Sequence, residues 1–312
     1  MVRAARHDAT IVVTGAAGQI GYEAVRELEP LGKVVGLTRA DLDLTDGAAI
    51  RDTMRRLRPR VIVNAAAYTA VDRAETEREV ASVINADAPG ILAEEAQRLG
   101  GLLVHYSTDY VFDGHKRSPY VESDPTNPLS VYGATKLAGE QAIQAVGGIY
   151  VILRTSWVYG ARGTNFVRTM LRLAREREEL RVVNDQVGAP TWSRSIASMT
   201  ADIVGYELAR GDEFGDGVAG LYHVSAAGET TWYDFARYIL ERDPRRDEQT
   251  CRRIIAISSD EFSAGSRQPV AKRPAYSVLD NARIRGWLRM SLVDWREPLD
   301  SVLPELCEGA AR

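Results

Sequence analysis

Apolar and polar positions follow two different periods along the first half of the chain. Short runs that are apolar throughout predict buried strands, whereas runs in which apolar residues recur every three to four positions predict amphipathic helices. The predicted strands are residues 10–15, 33–38, 60–66, 102–107 and the first part of 149–160. The predicted helices are residues 19–32, 47–59, 84–101 and 132–148. This order indicates a parallel sheet that is covered on both faces and connected by right-handed crossovers.

The second half of the chain shows similar patterns less regularly. Residues 165–180 predict a helix with an apolar seam, and residues 180–192 predict a strand that runs into a loop rich in Gly and Pro. Residues 220–240 predict a strand, a turn and a helix that is capped by Thr230 or Thr231. No internal repeat or linker is visible in the sequence. We therefore predict two lobes that share one continuous core.

Composition narrows the classes of partner. The 312 residues include 26% charged and 45% hydrophobic residues and carry a net charge of −4, which gives no reason to expect nucleic acid or a membrane surface as partner. No apolar run is long enough to span a bilayer. Cys251 and Cys307 form no CxxC motif, so neither a zinc site nor a disulfide is suggested. A reducing, cytoplasmic setting fits best.

Three glycines separate the first predicted strand from the first predicted helix. Gly15, Gly18 and Gly21 stand in "VVTGAAGQIG". Glycine permits a tight turn and lets backbone N–H groups approach a phosphate, and the helix N-terminus adds partial positive charge for a pyrophosphate. Such glycines can be incidental to a strand–helix turn, but here a second strand–helix unit follows, as the dinucleotide-binding fingerprint requires. We therefore predict a Rossmann-type, doubly wound α/β fold with an NAD(P)-binding domain at 1–160, completed by parts of 190–225, and a smaller, mainly substrate-binding lobe at 161–312.

The end of the second predicted strand bears on which dinucleotide binds. An acidic residue there would hold a ribose 2′-hydroxyl, and an arginine would face a 2′-phosphate. In "LTRADLDLTD", Arg39 comes first and Asp41 and Asp43 follow. Arg39 favours NADPH, but an arginine at this place can equally be a surface residue, so NADH stays open. Asp43 and Leu44 are expected beside the adenine ring.

A tyrosine and a lysine open the last predicted helix of the first half. Tyr132 and Lys136 are four residues apart and therefore share one face of a helix. A nearby ammonium group lowers the pKa of a tyrosine from about 10, and the same lysine can hold the hydroxyls of the nicotinamide ribose. Thr108, at the carboxyl end of the fourth predicted strand, can hydrogen-bond the carbonyl group that receives hydride. The three residues therefore predict an acid, the group that tunes it and a group that polarises the carbonyl.

Together these motifs resemble those of the extended short-chain dehydrogenases/reductases and, within them, the dTDP-4-dehydrorhamnose reductases. The resemblance covers most of the chain. The segments between residues 61 and 160 are typical of the subfamily, whereas the glycine turn and the YxxxK spacing mark only the superfamily. The matching segments are "TGAAGQIG", "DLDLTD", "VNAAAYTAVDRAE", "VINADAP", "HYSTDYVFDG", "YGATKLAGE", "LRTSWVYG", "NDQVGAPT" and "RPAYSVLDN".

The resemblance implies a reaction and a set of binding residues. Hydride would pass from NADPH, or NADH, to C4 of dTDP-4-dehydro-6-deoxy-L-mannose to give dTDP-L-rhamnose, with Tyr132 as proton donor. Further cofactor contacts are expected at Gln19, Ile20, Ala65, Ala66 and Ala67. The sugar pocket is expected at Thr69, Val71, Tyr110 and Trp157, and the diphosphate and thymidine are expected at Asn165, Gln186 and Arg273.

One position separates reduction from dehydration. Sugar-nucleotide 4,6-dehydratases carry Thr-Asp-Glu where this chain has Thr108, Asp109 and Tyr110. Tyr110 cannot act as the missing carboxylate, and Asp109 is expected to face away from the site or to be structural. Reduction is therefore favoured over dehydration.

Two other functions remain alternatives. A ketoreductase of antibiotic deoxysugar biosynthesis, for example of the dihydrostreptose type, would carry nearly the same motifs. A non-catalytic homologue that binds a dinucleotide and regulates a partner enzyme is disfavoured, because the Thr–Tyr–Lys set is complete. Many relatives form homodimers, so a homodimer is compatible with the resemblance. The resemblance leaves a divalent metal at an interface open, but no ligand cluster at metal-like spacing is visible in this sequence.

Overall fold

Strands and helices alternate through most of the structure, a computed structural model that describes residues 8–210, 219–266, 269–289 and 291–308. The strands in these ranges are β1 Thr10–Thr14, β2 Lys33–Leu37, β3 Val61–Asn64, β4 Leu102–Thr108, β5 Ile149–Thr155, β6 Val158–Tyr159, β7 Glu179–Val183, β8 Val187–Gly188, β9 Thr191–Trp192, β10 Gly220–His223, β11 Thr230–Thr231 and β12 Arg253–Ile257. The helices are α1 Gln19–Leu28, α2 Gly47–Leu57, α3 Val71–Ala74, α4 Arg78–Ser82, α5 Ala88–Arg98, α6 Val131–Val146, α7 Phe166–Glu176, α8 Ser193–Ala209, α9 Trp232–Arg242, α10 Ser259–Gly265, α11 Ala282–Leu288 and α12 Arg296–Glu308.

The central feature is a six-stranded sheet in the order β2-β1-β3-β4-β5-β10. Every neighbouring pair in it is parallel. The chain runs outward from β1 to β2 and then returns to β3 on the other side of β1. In a doubly wound sheet, ligands bind beyond the carboxyl ends of the strands at this reversal. The predicted Rossmann-type α/β fold is confirmed.

Each face of the sheet packs against its own layer of helices. Ile11 and Val13 of β1 belong to a core that includes residues of α1 and α8, whereas Val12 between them belongs to a core that includes residues of α2 and α5. All three side chains are fully buried. Burying one such side chain stabilises a fold by roughly 1.5–3 kcal/mol, so the unbroken apolar run of the strand is required by the two-sided covering.

The second lobe has a core of its own, so among the described residues the predicted single core shared by the two lobes is not found. β7 pairs with β12 in parallel, and residues of α7, α9 and α12 pack together beside this pair. Phe235 and Trp295 lie at the centre of the lobe, in an edge-to-face contact with ring centroids 5.5 Å apart.

The predicted elements of the first half are found with small shifts at their ends. The helix predicted at 19–32 is α1 followed by a 3₁₀ turn, Glu29–Leu31. The helix predicted at 47–59 ends at Leu57, because Arg58 adopts a left-handed conformation with φ of 47°. The stretch predicted at 84–101 begins with a π-helical turn, Val83–Asp87, before α5.

The second half departs more from the prediction. The helix predicted at 165–180 is too long, because residues from Glu179 onward pair with β12. Thr231, one of the two predicted caps, accepts a hydrogen bond from the Asp234 backbone nitrogen at 3.0 Å and caps α9. The helix α8 was not predicted, nor were α10, α11 and α12.

In the described ranges, no helix combines the length and apolar character needed to cross a membrane. Cys251 has a free thiol, and the side chain of Cys307 lies outside the described residues.

Candidate active site

The turn between β1 and α1 lies against the residues that follow β3. Gly15 has φ of +66°, and a Cβ atom on it would lie 2.7 Å from the backbone nitrogen of Ala66 and 2.8 Å from the carbonyl carbon of Ala65. A Cβ atom on Gly21 would lie 2.1 Å from the carbonyl oxygen of Gly15. Glycine at these two positions therefore allows the turn to close against β3.

The N-terminus of α1 opens at this turn. Gly18 is the N-cap residue, and within the described ranges no side chain caps the helix. The first N–H groups of a helix lack intrahelical partners and carry partial positive charge, which suits a phosphate. The turn therefore fits a dinucleotide, whose pyrophosphate would be held by the backbone of Gln19 and Ile20.

We expect Gly21→Ala to destabilise the turn. The new methyl group would overlap the Gly15 carbonyl group, so the free energy of unfolding should fall by about 1–3 kcal/mol and NADPH should bind more weakly. Urea unfolding and fluorescence titration with NADPH measure the two effects. Gly205→Ala on α8 is the matched control, because its methyl group would meet only the Leu31 side chain among the described residues, at 3.4 Å and beyond. Equal losses in both variants would contradict the close approach.

The residues predicted at the adenosine end lie after β2. Arg39 is exposed. Asp43 accepts hydrogen bonds from the Thr45 backbone nitrogen at 3.0 Å and its hydroxyl at 2.9 Å, and these bonds lower the pKa of Asp43. Leu44 is buried in the core beneath α2. Asp43 therefore shapes the loop before α2, while Arg39 is exposed and accessible to a ligand.

Packing of α6 against the end of β4 brings Thr108 and Tyr132 together. Tyr132 lies in the first turn of α6, which Ser130 caps by accepting a hydrogen bond from the Gly133 backbone nitrogen at 3.2 Å. A Cβ atom on Gly133 would lie 2.2 Å from the carbonyl oxygen of Tyr110, so this turn rests directly on the backbone that follows Thr108. The rings of Tyr110 and Tyr132 meet edge to face, with centroids 5.8 Å apart.

The pKa of Tyr132 differs from the prediction. Although Tyr132 keeps some exposed surface, burial raises its pKa to about 12, a hydrogen bond with Thr108 opposes this increase and the charge of Asp109 adds to it. The predicted lowering by Lys136 is wrong for this structure, because burial outweighs the other influences and the Lys136 amine is directed at other groups. At neutral pH the phenol keeps its proton, which is the form that a proton donor needs.

Lys136 lies beneath the site and is almost fully buried. Its Nζ atom donates a hydrogen bond to the carbonyl oxygen of Tyr106 at 2.7 Å and lies 3.1 Å from Nε2 of His105. Burial lowers the pKa of Lys136 to about 8, and the charge of Glu140 opposes this shift. The buried lysine therefore loses its charge at a lower pH than an exposed lysine does.

Asp109 does not face away from the site. It is buried, and its carboxylate accepts hydrogen bonds from the hydroxyls of Thr108 at 3.1 Å and Ser156 at 2.9 Å. Burial raises the pKa of Asp109 to about 6. The carboxylate thus orients the Thr108 hydroxyl beside Tyr132. The expectation that Asp109 faces away is wrong, whereas these bonds agree with the alternative expectation of a structural role.

Residues 9–307 match the model of the RmlD substrate binding domain family. The chain belongs to this family. It is 48% identical over 290 residues to the dTDP-4-dehydrorhamnose reductase of Burkholderia thailandensis, covering 92% of this chain and 95% of the relative. It is 42% identical over 301 residues to the dTDP-4-dehydrorhamnose reductase of Escherichia coli, covering 95% and 97%. A crystal structure of dTDP-4-dehydrorhamnose reductase from Bacillus anthracis in complex with NADP superposes with a TM-score of 0.85 at 35% identity and covers 96% of this chain and 100% of that one. The predicted family resemblance is confirmed.

In this RmlD-family chain, Tyr110 of the predicted sugar pocket lies beside Tyr132, and Arg273, which was predicted at the diphosphate, lies near Tyr110. Arg273 donates hydrogen bonds to both carboxylate oxygens of Asp72, at 2.9 and 3.0 Å. Burial raises the pKa of Tyr110, and the charge of Arg273 opposes this shift, which places the two side chains close together. Val71 begins α3 next to Asp72, and Thr69 is exposed just before it. Arg273 is thus anchored by Asp72 beside Tyr110.

Trp157 occupies a strained position in a stack of two indoles. Its φ is 44°, and its ring lies parallel to that of Trp232 with centroids 3.4 Å apart. Gln186 accepts a hydrogen bond from the Trp232 indole at 3.2 Å and donates one to Ser259 at 2.8 Å. One face of Trp157 is therefore covered by protein, and Gln186 holds this stack in place through Trp232.

Asn165 links the second lobe to the glycine turn. It caps α7 by accepting a hydrogen bond from the Arg168 backbone nitrogen at 3.1 Å. Its amide nitrogen donates to the Gln19 side chain at 2.9 Å and to the Gly160 carbonyl oxygen at 2.8 Å. These bonds occupy the Asn165 side chain, so its contribution is to position α1 and α7 relative to each other.

Sequence reasoning missed several residues of the site. Asp72, Asn64, His105 and Trp232 are held there by contacts with residues far away in the chain. A histidine within the apolar run "LLVHYS" is a signal that could have been used, because a buried polar side chain needs a partner.

Proposed function

We propose that this chain catalyses the NADPH-dependent reduction of the C4 keto group of dTDP-4-dehydro-6-deoxy-L-mannose, giving dTDP-L-rhamnose. The observation that carries the proposal is the hydrogen bond between Thr108 and Tyr132 at the carboxyl end of β4, above the buried Lys136 and next to a glycine turn that fits a dinucleotide. Near-full-length identity of 48% to a dTDP-4-dehydrorhamnose reductase supports the same reaction.

The residues of the site divide the chemistry between them. Bound NADPH supplies the hydride that reduces C4. The Tyr132 phenol, which is protonated at neutral pH, donates its proton to the C4 oxygen as negative charge develops there. Thr108 lies beside the same oxygen. Its single hydroxyl proton is donated to Asp109 in this structure, so the hydroxyl must turn towards the C4 oxygen to hydrogen-bond it. Lys136 as an ammonium group holds the nicotinamide ribose.

The substrate lies between the two lobes in this proposal. Tyr110 and Trp157 border the sugar, since an aromatic face or edge suits a pyranose ring. Arg273 is fixed by Asp72 and by the Ala271 carbonyl oxygen, to which its Nη1 atom donates at 3.1 Å, and its positive charge faces the diphosphate in this proposal. Dehydration is disfavoured, because the position of the second acid is taken by Tyr110 and Asp109 is engaged by Thr108 and Ser156.

The direct test follows NADPH absorbance with dTDP-4-dehydrorhamnose generated in situ. We expect NADPH consumption with formation of an equal amount of dTDP-L-rhamnose, identified by NMR of the product. A higher kcat/KM with another dTDP-4-keto-6-deoxy sugar would reassign the chain to an antibiotic-deoxysugar ketoreductase. Binding of NADPH without turnover of any keto sugar would identify a non-catalytic homologue.

Arg39 should decide the choice between NADPH and NADH. We expect Arg39→Ala to raise the KM for NADPH by about tenfold, because the charge-assisted hydrogen bond to the 2′-phosphate is lost, and to leave the KM for NADH nearly unchanged. Arg56→Ala is the control, because it removes an exposed arginine that lies on α2, away from the end of β2. An equal change of both KM values in Arg39→Ala would remove this residue from the 2′-phosphate site.

A further inference from the structure

A chain of buried hydrogen bonds connects Lys136 to the glycine turn. The Thr14 hydroxyl donates to Oδ1 of Asn64 at 2.6 Å, Nδ2 of Asn64 lies 3.0 Å from Nδ1 of His105, and Nε2 of His105 lies 3.1 Å from Nζ of Lys136. All four side chains are at most 2% exposed. They come from the ends of β1 and β3, from β4 and from α6, so this series of hydrogen bonds crosses the sheet where the strand order reverses.

The four side chains can be hydrogen-bonded in two arrangements, which differ in the position of the His105 proton. A neutral imidazole carries one proton, so only one of its nitrogens donates and the other accepts. With the Asn64 amide as oriented here, Nδ2 donates to Nδ1 of His105. Nε2 then carries the proton, and its partner Nζ of Lys136 must accept as a neutral amine. When Lys136 is an ammonium group, Nε2 must accept, Nδ1 must carry the proton and the Asn64 amide must turn over.

The charges around Lys136 allow both its ammonium form and its neutral amine form. Burial and the nearby Lys136 charge hold the pKa of His105 well below its usual range, so the imidazole stays neutral. On its own helix Lys136 faces Glu140, whose carboxylate is paired with Arg154 of β5 at 2.6 Å and accepts from Ser107 of β4. Because Glu140 is already neutralised by Arg154, it stabilises the ammonium form only in part.

We propose that His105 is a positioning residue that couples the charge of Lys136 to the orientation of the Asn64 amide beside the dinucleotide turn. The ammonium form goes with a proton on Nδ1 of His105, and the neutral amine goes with a proton on Nε2. The kinetic consequence rests on the proposed function, in which the ammonium form holds the ribose. Since Thr14 directly precedes Gly15, and Ala65 and Ala66 follow Asn64, the same network touches both sides of the turn.

The first experiment reads the tautomer directly in the full chain without substrate. The chain has four histidines, and His105→Gln assigns the His105 signals in a long-range ¹⁵N–¹H correlation spectrum. Between pH 6 and 10 we expect His105 to stay neutral while its proton moves from Nδ1 to Nε2, with a midpoint near the pKa of Lys136, about 8. Lys136→Met should abolish the movement. One fixed tautomer across this range in the wild type, or an imidazolium at its acid end, would overturn the proposal.

The second experiment tests the consequence for catalysis. In His105→Phe the ammonium group loses a hydrogen-bond acceptor in a buried place, so the fall of kcat/KM at alkaline pH should move to lower pH by about one unit. His105→Gln keeps an acceptor near Nε2 and should restore the wild-type profile. His223→Gln alters another buried histidine, on β10, and should leave the profile in place.

Each outcome bears on one proposal. An unmoved profile in His105→Phe, or an equal shift in His223→Gln, would reduce His105 to a packing role. Melting temperatures identify any variant that fails to fold. In that case the NMR titration of His105 in the wild-type protein still tests the proposal. Wild-type protein that turns over no keto sugar would refute the proposed function alone, because the NMR titration needs no substrate.

Discussion

Tyr132→Phe is expected to lower kcat/KM for ketone reduction by about 10²–10⁴-fold, the usual contribution of a positioned general acid. The variant keeps the ring that meets Tyr110 edge to face and removes only the hydroxyl that bonds to Thr108. NADPH should bind with nearly unchanged affinity, so the loss should appear in kcat. Steady-state kinetics with dTDP-4-dehydrorhamnose, together with fluorescence titration of NADPH, separate the two quantities.

Tyr110→Phe is the matched control for this prediction. Both tyrosines keep some exposed surface, and burial raises the pKa of both phenols. Since Tyr110 borders the sugar in the proposed function, its variant should chiefly raise KM and keep most of kcat. Loss of activity in Tyr110→Phe with retention in Tyr132→Phe would exchange the two roles and refute the assignment of the acid.

The first half of the chain was predictable because its signals are local. The glycine turn, the strand before it and the helix after it lie within residues 10–32, and the spacing of Tyr132 and Lys136 needs only one helix. The state of those two side chains was not predictable. Burial sets the pKa of both, and burial depends on how α6 packs against β4, which is a tertiary property.

In the second half of the chain, prediction from sequence fails for two different reasons. In α8, Ile196, Met199 and Ile203 recur at helical spacing and are buried, so the signal exists but is weakened by the Ser, Thr and Gly residues that occur along the helix. The stacking of Trp157 on Trp232 has no such signal, because the two indoles are far apart in the chain. Site residues of this kind become visible only when the two lobes are folded.

Glu140→Gln is expected to reduce the free energy of unfolding by about 3–5 kcal/mol, because it leaves a buried guanidinium group without its counter-charge. The Glu140 carboxylate accepts two hydrogen bonds from Arg154, at 2.6 and 2.9 Å, and both side chains are at most 4% exposed. The pair ties the middle of α6 to β5, beneath Lys136.

The Glu176→Gln variant is the matched control, since Glu176 pairs with Arg172 at 2.7 Å but both side chains are about half exposed. An exposed pair of this kind contributes about 0.3–0.5 kcal/mol. Urea unfolding of both variants measures the difference, and similar losses in the two would show that burial of the Glu140–Arg154 pair adds nothing to the stability of the helix that carries Tyr132.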